Sequence, residues 1–496
     1  MEKFPILLLT ILMPLVSAIF LALFVKQSRN PAKVLYAKYV AVLSSVLTLV
    51  SSIFLVINFD LETGYQYKET YSFLPSMGLE IDLGLDGFSI FFVLLTAILT
   101  VICISISMFS ITKTIKEFLI CFLLLESFSI GVFCATNLLL FYIFFEAILI
   151  PMYLIIGIWG GTDRVYATLK FFLYTLFGSV LFLIDIVYLF NEFGTLSIPA
   201  LAKLAPTLPF EVQCYLWIAA FIAFAVKVPM LPFHTWLPDA HVQAPTAGSV
   251  ILAGILLKIG AYGFIRVSLP MFPEASKYYS ELVLILSVIA IIYASLVAIA
   301  QTDMKKMIAY SSVAHMGYVT AGIFSFNHEG LTGAVMQMIS HGIVSSGLFM
   351  VVGVLYDRLH TKEISSFGGV AAKMPNLAFI FMVLTLSSVG LPGTSGFVGE
   401  FYSIVGLYST NWHYAFFATL AVILGAIYML RLYRNVMLGV IHNEEIHKFS
   451  DLSIRELFCL APLAFATIVF GIFPTLITKY FTNEVALLLS NMGITQ

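Results

Sequence analysis

Lys227-Val228-Pro229-Met230-Leu231-Pro232-Phe233-His234-Thr235-Trp236-Leu237-Pro238 closes an apolar run that begins near Gln213. Each proline removes a backbone donor, so no helix passes through this stretch with its hydrogen bonds intact. A lysine at the edge of such a break describes a membrane helix interrupted at depth. Interruptions of that kind line a cavity or an ion site. A second one follows at Leu391-Pro392-Gly393-Thr394-Ser395-Gly396-Phe397-Val398-Gly399-Glu400, again with an ionisable residue beside it.

The rest of the chain supplies the membrane context. It has 496 residues, 60% hydrophobic and 10% charged, where soluble domains carry about 25% charged residues. So few charges cannot cover a water-soluble fold of this size, so lipid is the solvent for most of it. The net charge of −2 suggests no nucleic-acid partner. Cys103, Cys121, Cys134, Cys214 and Cys459 stand singly, without ligand spacing, and read as small apolar residues. GxGxxG and P-loop patterns are missing too. The sequence therefore offers no place for electrons, nucleotides or a metal.

The reading is an all-α, polytopic membrane protein of about fourteen transmembrane helices. The span cores fall at 4–25, 36–58, 86–110, 118–135, 137–159, 168–190, 213–233, 246–268, 280–301, 307–326, 330–356, 375–408, 413–438 and 457–482. The runs are continuous and too long for barrel strands, so strands are not expected. The two breaks lie five spans apart. Five is odd, so successive copies of such a unit face opposite ways, which suggests two inverted five-helix repeats with two broken helices. The expected division is 1–115 (helices 1–3), 116–270 (helices 4–8), 271–440 (helices 9–13) and 441–496 (a loop and helix 14).

Orientation follows from lysine and arginine placement. With both termini outside, the outside segments hold only Lys3, Lys68, Lys203, Arg266, Lys277 and Lys479. The inside loops hold Lys26, Arg29, Lys33, Lys38, Lys113, Lys116, Lys305, Lys306, Lys362, Arg431 and most of the others. Lys227 and Lys258 lie within spans.

Glu126, Glu146, Asp185, Lys227, Lys258 and Glu400 are the charged residues inside spans, joined by His315 and His341. A charge at the bilayer centre costs roughly 2.5–3.5 kcal/mol on insertion scales, so these groups must face one another or water. Either they are buried ion pairs pinning helices, or they pass ions or protons. Apolar packing stabilises better than buried pairs do, which favours passage. Burial favours the neutral form of an amine, and a nearby carboxylate opposes this. Glu146, mid-span, is the expected partner of Lys227, and a changing distance between them would switch the lysine. A static salt bridge is the other reading of the same pair. Lys258 has no acid near it in sequence; Tyr262 is one turn away on the same face. Ser311, His315 and Tyr318 share one helical face, as do Gln337, His341 and Ser345. Each is a polar stripe able to pass protons through a histidine. Glu126 is a possible accessory to Glu146. Asp185, late in its span, is read as approaching the outer interface and is assigned no role.

Four stretches resemble a known family: Leu83-Gly84-Leu85-Asp86-Gly87-Phe88-Ser89, Phe145-Glu146 with Pro151-Met152-Tyr153, Lys227 through His241, and Ser311-Ser312-Val313-Ala314-His315-Met316-Gly317-Tyr318. They are similar to the antiporter-like membrane subunits of respiratory complex I, and the resemblance covers nearly the whole chain. The lysine–proline–histidine stretch is shared with multisubunit cation/proton antiporters, which is the alternative reading. Among the L, M and N types, Gly396-Phe397-Val398-Gly399-Glu400-Phe401 resembles the M type, where the others usually carry lysine. The resemblance implies fourteen core helices and two inverted repeats. It implies Glu146 and Lys227 as a coupling pair, Lys258 as central relay, His315 and His341 as connecting positions, and Glu400 toward the outer exit. It further implies no cofactor in this chain, with NADH, FMN, iron–sulfur clusters and quinone in partner subunits. The expected partners are the lipid bilayer and other membrane subunits of the complex, especially the L and N types. The expected location is a bacterial inner membrane, or the mitochondrial inner membrane for an organellar protein.

Overall fold

The computed structural model describes residues 5–25, 31–74 and 79–494. Lys3, Lys26 and Arg29, counted above for orientation, lie outside the described residues, as does Phe4 at the start of the first expected span. Among the described residues the fold is all-α apart from one antiparallel strand pair. Among the described residues, twelve helices are long and apolar enough to cross a membrane. Helix Met304–Phe324 is made less apolar by its serines and His315, and the interrupted pair Pro375–Val389 and Ser395–Thr410 forms one broken span. These two bring the spans to fourteen, in the expected order.

Three differences have local causes. The acidic segment after the second span pairs as antiparallel strands Gln66–Leu74 and Leu79–Leu85, with Thr70 opposite Asp82. It is short and lies between spans, where the transmembrane argument against strands does not reach. The last expected span is two helices, Ile454–Ile472 and Thr475–Asn491, because Pro474 cannot continue the first. The span near 246–268 is mixed. Helix Leu257–Gly263 sits between two π-helical segments, Leu252–Leu256 and Phe264–Ser268, and such segments recur at functional positions.

Both breaks form as the prolines and glycines require. Helix Phe210–Lys227 ends at Lys227, a run of turns follows, and helix Trp236–Gln243 resumes. Carbonyls at its C-terminal end are capped from elsewhere in the chain: Lys362 Nζ donates to Val242 O at 2.5 Å and Lys305 Nζ to Ala244 O at 2.7 Å. Lys305, counted as an inside loop charge, is therefore buried. At the second break Gly390 takes a left-handed conformation (φ 79°) and ends helix Pro375–Val389, with Leu391 N–H donating to Leu386 O at 3.0 Å.

The chain divides into two compact units. The first comprises Met1–Val228, Ile255–Tyr279 and Lys479–Thr495; the second comprises Pro229–Gly254 and Ser280–Thr478. Helix His328–Leu359 is the core of the second unit, with every side chain from Gly330 to Leu355 buried. Asn327 starts it by accepting the Gly330 N–H at 2.8 Å.

Candidate functional site

In the first unit the span charges Glu126, Glu146, Asp185, Lys227 and Lys258 form no contact ion pair with one another. Lys227 is buried, and its ammonium donates to the Phe145 carbonyl at 3.1 Å while lying 4.1 Å above the Phe145 ring centroid. That carbonyl belongs to helix Leu138–Ala147, which pauses at Ile148 ahead of Pro151. Glu146 is the next residue and half-buried, and the Ser179 hydroxyl and the Lys227 charge both act on its carboxylate. The two side chains make no contact ion pair, and Glu146 Oε1 is buried without a hydrogen bond. The expected pairing of Glu146 and Lys227 is thus electrostatic, through a gap that the Phe145 backbone bridges.

Lys258 is fully enclosed. Its helix packs closely on the Lys227 helix, because a Cβ at Gly260 would sit 2.7 Å from Phe224 O and 2.9 Å from Lys227 Cβ. Tyr262, one turn on, donates to Phe133 O at 3.3 Å within a cluster of Phe92, Phe133 and Phe141. Glu126 is fully buried, and neither of its carboxylate oxygens has a hydrogen-bond partner. Asp185 is the same. Its lateness in the span does not bring it to a surface, because it lies on the one buried face of helix Arg164–Phe193, with Gly178, Phe182 and Leu189.

In the second unit the ionisable groups meet. His315 Nδ1 lies 2.7 Å from Glu400 Oε1, and His315 Nε2 lies 3.2 Å from Ser388 Oγ. Gln337 Nε2 donates to the same Glu400 oxygen at 3.2 Å. The His341 ring stands 5.6 Å from that of His315, and Ser345 Oγ donates to the His341 carbonyl at 2.5 Å. Ser311, His315, Gln337, Ser340, His341, Ser345, Ser387 and Ser388, with Val344, Leu348 and Gly396, line a cavity of about 10 Å³, the space one water centre needs. Ser388 belongs to the helix ended by Gly390, and Glu400 to the helix after the break, so the interruption brings both to His315. Glycines set the approach: a Cβ at Gly399 would overlap Gln337, and one at Gly406 would overlap Gly330. Tyr318, on the same helix as His315, donates to the Ala418 carbonyl at 2.7 Å.

Residues 135–427 match the family described as NADH:quinone oxidoreductase/Mrp antiporter, TM. That description spans both readings of the sequence. The chain is 58% identical over 490 residues to NADH-quinone oxidoreductase subunit M of Rickettsia bellii, covering 99% of each chain. The chain belongs to the subunit M family of NADH–quinone oxidoreductases. It is also 47% identical to NADH-ubiquinone oxidoreductase chain 4 of Marchantia polymorpha, covering 94% of this chain and 93% of that one. Respiratory complex I from Thermus thermophilus with bound NADH contains a chain of the same fold, with TM-score 0.87 and 30% identity, covering 97% of this chain and 99% of that one.

A further buried charge pair, which the sequence did not mark, lies in the first unit. Arg266, counted as an outside loop charge, lies in the π-helical segment Phe264–Ser268 and forms an ion pair with buried Asp86. Its guanidinium is 4.8 Å from the Tyr65 ring, and its Nε donates to the Tyr262 hydroxyl at 3.1 Å. Asp86 stands in the Leu83–Ser89 stretch that carried part of the resemblance. Its partner is 180 residues away, and nothing local marks it.

Proposed function

We propose that this chain carries protons across the membrane as the M-type antiporter-like subunit of an NADH–quinone oxidoreductase, with electron transfer performed in other subunits. Lipid and the neighbouring membrane subunits are its partners, the L and N types above all. Its place is the bacterial inner membrane, or the mitochondrial inner membrane for an organellar protein. The two five-helix repeats, 116–270 and 271–440, each carry part of the proton path.

The observation that supports this most is the 2.7 Å contact of His315 with Glu400 beside a water-sized cavity lined by serines and both histidines. Imidazole takes a proton on one nitrogen and gives one from the other. With Ser388 on Nε2 and Glu400 on Nδ1, such an exchange ends with the proton on Glu400. His341 feeds the same cavity. In the first unit, Glu146 and Lys227 form the charge-switching pair. Movement of either helix alters their separation and with it the hold on the lysine proton. Lys258 is the relay of that unit, and Glu126 is an accessory acid. No group in this path transfers an electron.

The test is proton movement by the purified complex in liposomes, with and without NADH and quinone. Acidification that requires both, and is indifferent to sodium, is expected. Sodium–proton exchange without NADH would favour a cation/proton antiporter instead. Co-purification of the chain with quinone-reducing subunits separates the same readings.

A further inference from the structure

The second unit carries an open cavity that the proton path does not use. Its volume is about 530 Å³, within the roughly 300–1,000 Å³ of ligand sites. Its walls come from inside loops: Gln301 and Thr302, residues of the stretch 363–368, and the end of helix Trp412–Met437 with residues that follow it to His442. Backbone hydrogen bonds fix these walls to one another. Ile364 N–H donates to Thr302 O at 2.9 Å, and Gly369 N–H donates to Leu438 O at 2.9 Å. A Cβ at Gly368 would sit 2.9 Å from Val440 O, so the middle wall lies against the last with no room for a side chain.

The cavity is basic. Arg431, Arg434 and His442 line it against one carboxylate, Glu363, which is exposed. The protein satisfies the two arginines poorly. Arg431 Nη1 donates to Ile299 O at 3.4 Å, and Arg434 donates to the side chain of its neighbour Asn435 at 3.4 Å. Among the described residues neither forms an ion pair with a carboxylate. A guanidinium offers a planar fork of donors that matches a phosphate, and most of both forks is left for a ligand.

The same arginines end an apolar stripe. On helix Trp412–Met437 the exposed positions Phe416, Leu420, Ile423, Ile427 and Leu430 follow helical spacing, and Arg431 and Arg434 continue that face. Leu420 to Leu430 spans about 15 Å, half of a hydrocarbon core of about 30 Å. Helix Ser280–Ile299 runs alongside. It is tied at its start by Tyr414, whose hydroxyl donates to Glu281 Oε1 at 3.4 Å, and at its end by Arg431. Apolar surface of one leaflet's depth therefore ends at a basic cavity on the inside face, the level of the lipid phosphates.

We propose that this cavity binds the phosphodiester headgroup of an anionic phospholipid of the inside leaflet, with Arg431 and Arg434 on the phosphate and the acyl chains along the exposed face of helix Trp412–Met437. Basic pockets between helices on this side of a membrane take such headgroups. A free phosphate would satisfy the arginines and leave the stripe uncovered. An acidic protein segment would not require apolar surface of leaflet depth below it. Met307 and Leu432 are buried lining residues, and Met307 belongs to the helix that bears His315. The lipid thus fastens the inside end of helix Met304–Phe324 to that of helix Trp412–Met437.

The test uses the intact complex in nanodiscs with a phosphatidylglycerol that carries a photoreactive group near its acyl carbonyls. Labelled peptides are read by mass spectrometry. Labelling is expected in the peptides holding residues 296–302 and 427–442. Phosphatidylglycerol should compete for it, and phosphatidylcholine at least about tenfold less well, because charge-assisted hydrogen bonds are lost. Arg431→Gln combined with Arg434→Gln should lower this labelling about tenfold by the same loss and leave labelling of helix Ile6–Phe24 unchanged. Lysine at both positions should restore part of it. Displacement of the probe by inorganic phosphate as effective as by phosphatidylglycerol would make the cavity a free-anion site and overturn the proposal. Equal competition by phosphatidylcholine would overturn it as ordinary lipid contact. Absence of label from both peptides, the result if an acidic protein segment fills the cavity, would overturn it too. If the double glutamine variant fails to assemble, the competition on the parental complex decides by itself.

Discussion

The two units handle buried charge in opposite ways. In the first, Lys227 rests on a backbone carbonyl and an aromatic face, and Glu146 stays out of contact with it. In the second, Glu400 takes hydrogen bonds from His315 and Gln337 beside a water-sized cavity. A charge acting across a gap changes its effect with every small change of distance. A closed hydrogen-bond network holds its members in place and passes a proton along. The first arrangement suits a switch and the second a conduit. The Asp86–Arg266 pair shows that the first unit also forms a contact ion pair where helix packing brings both partners within reach.

Substitutions that remove the gap's charge are expected to have the largest effect. Glu146→Ala should assemble but lose NADH-driven proton movement, because Lys227 is left with only the Phe145 carbonyl and ring. Parental pumping by this variant would remove Glu146 from the mechanism. Glu146→Asp should be milder: no contact pair exists to be broken by one methylene. Proton movement in inner-membrane vesicles, normalised to assembled complex, measures both.

Next comes Lys258→Arg. Arginine is effectively never deprotonated, so a relay that must release its proton fails while a plain counter-ion survives. A strong loss of pumping is expected, with assembly checked by native gel. Normal pumping would make Lys258 structural and leave the first unit with one working lysine.

At Glu400 the effect should be graded. Lysine can alternate between neutral and positive where glutamate alternates between neutral and negative. Glutamine does neither, yet preserves the polar contacts with His315 and Gln337. The expected order of proton transfer is parental, then Glu400→Lys, then Glu400→Gln. Glutamine pumping as well as glutamate would turn the conduit into a packing network and dissolve the contrast between the units.

The smallest effect belongs to Gln337→Leu. It removes the hydrogen bond to Glu400 at 3.2 Å and the long 3.4 Å contact with His315 Nδ1, and leaves the shorter His315–Glu400 contact in place. A hydrogen bond of this kind contributes about 0.5–1.5 kcal/mol, so a roughly two- to tenfold loss of proton-transfer rate is expected. A loss as deep as that of Glu400→Gln would place Gln337 within the transfer chain.

The amino-acid sequence alone determined the solvent, the order of the spans, both breaks and the buried ionisable groups. These follow from local quantities: apolar length, proline and glycine at depth, and the cost of a charge in lipid. It also pointed to the subunit family through short motifs that stay contiguous. Only the tertiary structure decided which groups meet. His315 and Glu400 are 85 residues apart, and their contact depends on glycine-level packing of two helices. Arg266 looked like a loop charge because hydropathy reports depth along one helix and says nothing of Asp86 across the bundle. Asp185 looked close to an interface for the same reason and is fully enclosed. Glu146 and Lys227 were legible as residues, but not the gap between them. Composition determines that a charge is buried, whereas the packing of other helices determines what it faces.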